Sequence, residues 1–116
     1  MKTALLVAVA ILACPLAYAG GDPAAGTAKA KPCAACHGAD FNTPISADIP
    51  RLAGQHADYT ARTLTDYKSG ARKNALMADQ AAALSPQDIQ DLAAYFQSLS
   101  GKLKIIPLHR LVGGTH

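Results

Sequence analysis

Apolar positions along the chain recur at helical rather than strand spacing. The clearest case lies near residue 90, where Ile89, Leu92, Ala93, Tyr95, Phe96 and Leu99 share the three-and-four spacing of one helix face. Ser85-Pro86-Gln87-Asp88 precedes them with a capping serine, a proline at the first helical position and an acid in the first turn, and Gly101 ends the run. A second run, QHADYTARTLTDYKS over 55–69, puts Tyr59, Thr63 and Tyr67 along one face with Leu64 beside them, and Gly70 is its predicted terminator. Asp22-Pro23 opens a third run, AAGTAKAK, which Pro32 interrupts. Residues 38–54 read as a loop, with Asn42, Pro44, Asp48, Pro50 and two glycines. Residues 70–84 read as a loop with room for a short helix carrying Met77. Nothing alternates with the period of a buried sheet and no segment repeats, so the predicted fold class is all-α.

Composition changes this picture in one respect. The region after residue 19 has a single valine, Val112, five isoleucines and no tryptophan among many alanines, which suits helices and poorly supplies strands. A single domain of this size has a thin core, and a large apolar cofactor would fill the missing volume. The formal charge of the 116-residue chain is only +3 and no basic stripe carries interleaved aromatics, so nucleic acid is not suggested. Charge is uneven all the same: residues 101–116 hold Lys102, Lys104 and Arg110 with no acid.

The first residues, MKTALLVAVAILACPLAYAGG, combine Lys2, a short apolar run and the small residues Ala17-Tyr18-Ala19. That is the pattern of a secretory signal over 1–19, cleaved after Ala19, and it is too short to remain as a membrane span. Two alternatives are a retained anchor helix and a lipidated Cys14, although Leu12 sits awkwardly in the lipid-attachment pattern. Cleavage would leave two cysteines, Cys33 and Cys36, in an exported domain over 20–100 followed by an extension over 101–116. The extension's apolar and basic mix suits a docking element or a disordered tail.

Residues 33–37 read C-A-A-C-H. A thioredoxin-like dithiol needs a βαβ setting, which the strand supply argues against, and gives His37 no task. Zinc wants about four ligands, commonly as two separated pairs, and no second pair exists. Haem attachment uses every residue. In a helical turn the sulfurs of Cys33 and Cys36 reach the two vinyl groups of one porphyrin edge, and His37 points under the ring to the iron.

The stretches DPAAGTAKA, CAACHGAD, IPRLAGQ, the Y-x-x-x-x-L-x-x-Y-K-S-G run and ALSPQDIQDLAAYF carry a family likeness. With them, the region up to about residue 100 resembles a small class I cytochrome c, of the kind found as single domains and as halves of bacterial two-haem cytochromes c4. One C-x-x-C-H implies one covalent haem c. The resemblance implies a cytochrome c fold of three to five helices whose N- and C-terminal helices cross, with Gly26 at the crossing and Tyr95 and Phe96 as its contacts. It implies that Met77, seven residues before Leu84, is the distal iron ligand, where the residue type alone would suggest a soft core filler. His56, His109 and His116 are the rival ligands, and a bis-histidine site is the alternative. It further implies that the Pro50 carbonyl accepts the proximal histidine's Nδ1–H and so orients the ring. Tyr59, Leu64 and Tyr67 read as core or haem-wall residues. One departure stands out: such cytochromes often carry glycine after CHGAD, where this chain has Phe41. A bulky residue adopts a positive φ only at a cost, so a differently shaped loop is expected there.

The implied function is periplasmic electron transport, with one haem cycling between Fe(III) and Fe(II) and no reaction on a small-molecule substrate. Redox proteins such as another cytochrome, an oxidase or a reductase are the expected partners, met through small transient contacts. Lys29, Lys31, Lys68, Arg72 and Lys73 are candidates to orient an acidic one. Membrane attachment is not expected. Two other readings stay open: a haem subunit held permanently in an oxidoreductase, such as a sulfide-oxidising flavocytochrome, and a five-coordinate haem sensor or enzyme in which Met77 does not ligate.

Overall fold

The computed structural model describes residues 20–103. The predicted export signal, Cys14, His109, His116 and all but the first residues of the predicted extension lie outside the described residues. Five helices follow in order: α1 Pro23–Lys29, α2 Ala34–His37, α3 Ala57–Ser69, α4 Ala75–Ala82 and α5 Pro86–Ser98, with a 3-10 turn Lys31–Cys33 leading into α2. No strand occurs among the described residues, so the architecture is all-α. No described helix is long and apolar enough to cross a membrane.

Helices α1, α4 and α5 begin at capping side chains. The Asp22 carboxylate accepts from the Ala24 N–H with Pro23 in the first turn of α1. Ser85 and Asp88 form a reciprocal capping box at the start of α5. Gly70 closes α3 in the left-handed conformation at φ 80°. Three boundaries differ from the sequence expectation, the end of α5 among them. Helix α3 starts at Ala57 rather than residue 55, because His56 is extended and the α3 N-terminus is capped from elsewhere: Gln97 of α5 accepts from the Ala57 N–H at 2.8 Å. His56 is exposed and makes no side-chain cap. The short helix in 70–84 is α4, started by Asn74, whose side chain accepts from the Met77 N–H at 3.0 Å.

Helix α1 crosses α5, while α3 packs against both α5 and α4. Gly26 makes the crossing possible: a Cβ there would meet the Asp91 carbonyl oxygen at 2.2 Å and the Tyr95 Cβ at 2.6 Å. Tyr95 is thus a contact of Gly26, as expected, and Phe96 belongs to the core cluster that also holds Ala30, Phe41, Ala53 and Leu92. A second cluster, Ala61, Ile89 and Ala93, lies between α3 and α5 and shares Leu64 and Leu84 with the first. The largest fully buried side chains are only Phe96 and Leu92. Helix α5 ends at Ser98 with Leu99 extended, short of the expected terminator Gly101, which lies at the edge of this core where a Cβ would strike the Ala53 carbonyl oxygen at 1.7 Å.

A buried carboxylate fastens the same crossing. Asp91, 3% exposed, accepts from the Asp22 N–H and from the Gln87 side chain, both at 2.8 Å. Lys29 reaches Asp91 at 3.4 Å and Asp88 at 2.8 Å. The Lys29 bond holds the Asp88 carboxyl down to about 2, and the Asp22 N–H, then Gln87, hold Asp91 below the usual carboxylate range. Depressed carboxylates stabilise the fold above their unfolded pKa of about 3.9, and that stability is lost as pH falls through the folded value. The stability difference between the native chain and Asp91→Asn should therefore shrink as pH falls below about 4, the unfolded carboxylate value. Denaturant midpoints measured across that window check this; a constant difference would mean that Asp91 does not carry its charge in the clamp.

The loop from Gly38 to Gly54 departs from expectation at one residue. Phe41 does take the left-handed conformation, at φ 54°, rather than reshaping the turn to avoid it. Its ring explains why. Phe41 is buried at 5% exposure and packs edge-on to Phe96 at 5.0 Å and to Tyr95 at 5.9 Å between centroids. Aromatic burial of this kind outweighs a backbone cost of about 1–2 kcal/mol.

Candidate haem site

The C-A-A-C-H segment folds as one continuous turn. The 3-10 turn Lys31–Cys33 carries Pro32 as its second residue, and Ala34–His37 continue it as α2, closed by the Gly38 N–H donating to the Ala34 carbonyl. Gly38 must be glycine: at φ 87° a Cβ would lie 2.1 Å from the Thr43 carbonyl oxygen. Cys33 is half-buried, Cys36 is exposed, and neither is in a disulfide. Burial pushes the Cys33 thiol up. That is the opposite of what an attacking redox thiolate requires, so Cys33 is poorly suited to that role.

His37 ends α2 and is buried at 7% exposure. Its Nδ1 lies 2.8 Å from the Pro50 carbonyl oxygen. A carbonyl only accepts, so Nδ1 is the donor of this bond, and Nε2 is the nitrogen whose lone pair a neutral ring could offer to a metal. Among the described residues no group of three or more His, Cys, Asp or Glu side chains gathers as metal ligands.

The segment bearing Pro50 is held by the loop that follows the motif. The Phe41 carbonyl accepts from the Leu52 N–H at 2.8 Å and the Ala53 N–H at 3.1 Å. The Arg51 side chain donates through Nε to the Asn42 carbonyl at 2.7 Å. Asn42 in turn donates to the Ser100 carbonyl at 3.0 Å and accepts from the Lys102 N–H at 2.9 Å. Nothing in the residue pattern signalled this set, because each bond uses backbone groups or side chains common in any loop.

Met77 sits half-buried in the first turn of α4. The structure brings Cys33, Cys36, His37 and Pro50 together but leaves Met77 on a separate element: no Cα of α4 comes within 8 Å of a Cα of α2. The wall residues are spread too. Leu64 packs against both core clusters. Tyr59 is half exposed, with its hydroxyl 3.4 Å from Arg72, whose guanidinium lies 5.1 Å over the Tyr67 ring.

Of the candidate docking cations, Lys29 is neutralised by Asp88 and Asp91. Lys68 donates to the Leu84 carbonyl and Arg72 is engaged with the two tyrosines. Lys31 and Lys73 are exposed and make no ion pair among the described residues.

Two unbridged thiols three residues apart, next to an imidazole with one nitrogen tied and the other free, are the donor set a covalent haem requires. The residues fit that group, and the helical fold around them defines a haem c class of protein. The cytochrome c family model matches residues 24–100, and the chain belongs to that family, whose members carry covalently bound haem c. Over 83 residues it is 49% identical to cytochrome c4 of Pseudomonas aeruginosa, covering 72% of this chain and 41% of that protein. It is 42% identical over 80 residues to a thiosulfate dehydrogenase electron acceptor of Stutzerimonas stutzeri, covering 69% of this chain and 35% of that protein. The crystal structure of reduced cytochrome c4 from Pseudomonas stutzeri superposes with a TM-score of 0.59 at 36% identity, over 70% of this chain and 52% of that one. The chain thus spans about half the length, or less, of these three proteins.

Proposed function

We propose that this chain is a single-haem cytochrome c that carries electrons between redox proteins in the periplasm. In this reading Cys33 and Cys36 hold the haem by thioethers, His37 is the proximal iron ligand, Met77 the distal one, and Pro50 orients the His37 ring. When bound, the haem supplies an iron that cycles between Fe(III) and Fe(II). The observation that carries the reading is the His37–Pro50 bond at 2.8 Å beside two unbridged thiols. It fixes the imidazole tautomer and raises its basicity toward a metal, an arrangement that serves a ligand and not a surface histidine.

Each residue has a stated task. Cys33 and Cys36 tether the ring so that it stays in place through repeated oxidation and reduction. Met77 offers a neutral thioether, which favours Fe(II) more than a second imidazole does. Met77 lies on α4, of which no Cα comes within 8 Å of a Cα of α2, so it would reach the iron from a different element than His37. With His37 and Met77 both bound to it, the iron would have no open coordination site for small molecules. The export signal over 1–19, cleavage after Ala19 and a domain over 20–100 belong to the same reading, since an exported chain with two closely spaced cysteines needs a local use for them. Partner contact is transient, and Lys31 and Lys73 are the cations left to orient an acidic surface. One relative is an electron acceptor of a thiosulfate dehydrogenase, which favours a dedicated enzyme partner over a general pool.

Met77→Ala tests the ligand set. The haem should stay covalently attached, the weak far-red band of a methionine–Fe(III) bond should vanish, and the reduced protein should bind carbon monoxide where the native protein does not. Unchanged spectra in Met77→Ala would remove Met77 from the iron and bring back the histidine alternatives.

A further inference from the structure

We infer that Arg51 is a positioning residue for the axial histidine, holding the Pro50 carbonyl against His37 through its bond to Asn42. The inference rests on the reading of His37 as an iron ligand.

Pro50 has no N–H with which to anchor itself, and it lies exposed on the loop. Upstream, the bond holding this stretch is a long turn contact, Ile49 N–H to the Ser46 carbonyl at 3.3 Å. Downstream it is gripped tightly. The Leu52 and Ala53 amides share the Phe41 carbonyl, and the Arg51 Nε–H reaches the Asn42 carbonyl at 2.7 Å. That last bond is charge-assisted and belongs to the residue next to Pro50, so it sets the carbonyl's direction most directly.

The acceptor is itself fixed. The Asn42 N–H donates to the Asp40 carboxylate at 2.9 Å, and the Asn42 side chain spans the Ser100 carbonyl and the Lys102 N–H. Arg51 therefore pulls against a point tied to the end of α5, and a movement of the Pro50 carbonyl registers on the Nδ1–H of His37. A weaker Nδ1–H···O bond lowers the ring's basicity toward iron, which stabilises Fe(III) less and raises the midpoint potential.

The test compares native holoprotein with Arg51→Ala, Arg51→Lys and, as a control, Arg62→Ala, an exposed cation on α3. Two readouts are used: exchange of the His37 Nδ1–H with solvent, followed by NMR in the reduced state, and the midpoint potential. In Arg51→Ala the exchange should be about tenfold faster, as for loss of one charge-assisted bond, and the potential should rise. Arg51→Lys should recover part of both, since an ammonium can still donate to Asn42, and Arg62→Ala should leave both unchanged. Native exchange and potential in Arg51→Ala would overturn the inference, as would equal shifts in Arg62→Ala, which would mark a general charge effect. Native holoprotein without histidine-ligated iron would instead remove the functional reading, and the inference with it.

Discussion

Gly26→Ala should destabilise the holoprotein by about 2–4 kcal/mol, despite alanine's better helix propensity. In an open helix the change would gain about 1 kcal/mol. Here the added methyl would sit 2.2 Å from the Asp91 carbonyl oxygen and 2.6 Å from the Tyr95 Cβ. The first is backbone and the second is the root of a side chain, so neither can swing aside. Helices α1 and α5 must separate, and the Asp22–Asp91 and Lys29–Asp91 bonds stretch with them. For a domain of this size the loss corresponds to a Tm lower by about 10–20 °C. Thermal melting of the two holoproteins under one set of conditions measures it. A Tm equal to or above the native value would mean that the helices cross less closely than the structure places them.

The second large effect lies at Phe41, where two opposed contributions can be separated. Truncating a buried phenylalanine costs about 3–5 kcal/mol, while a non-glycine residue at φ 54° carries about 1–2 kcal/mol of backbone strain. Phe41→Ala loses the ring and keeps the strain. Phe41→Gly loses the ring and releases the strain, at the expense of a more flexible unfolded chain. Both variants should be less stable than the native protein by more than about 2 kcal/mol, with glycine the more stable of the two by about 0.5–1.5 kcal/mol. Chemical denaturation gives the ranking. Alanine equal to or better than glycine would contradict the left-handed conformation at this position.

How legible the fold was depended on what kind of signal each element carries. Helix α5 announces itself through Ser85-Pro86-Gln87-Asp88 and a long apolar face, and its capping box formed as those residues imply. Gly26 was readable because a glycine inside a helix costs stability unless something lies close by. Helix α4 was half-visible: Asn74 caps it, but asparagine serves loops as readily as helix starts, and only the fold decides between them. The start of α3 was misplaced by two residues because Gln97, some forty positions away, supplies the cap. Phe41 went against expectation for a similar reason. Local sterics disfavour its backbone, and the compensation comes from Tyr95 and Phe96, which no local pattern links to it.

At the site the contrast is the same. C-A-A-C-H is a contiguous motif whose chemistry is written in its spacing, and the Pro50 carbonyl lies 2.8 Å from the His37 Nδ1. The Arg51–Asn42–Ser100 connection joins three segments through backbone oxygens, and backbone oxygens leave no trace in residue types. Lys29 shows the converse. In the sequence it is one more surface cation, and in the fold it is consumed by Asp88 and Asp91.

The central claim is that Cys33, Cys36, His37 and Met77 together hold one electron-carrying haem. An absorption spectrum of the matured protein, oxidised and then reduced, tests it most directly. The account predicts a c-type reduced spectrum, haem that survives denaturation because it is covalently bound, and the weak far-red band of a methionine–Fe(III) bond in the oxidised state. A protein matured where haem attachment operates, yet carrying no covalent haem, would contradict it and return C-A-A-C-H to thiol chemistry.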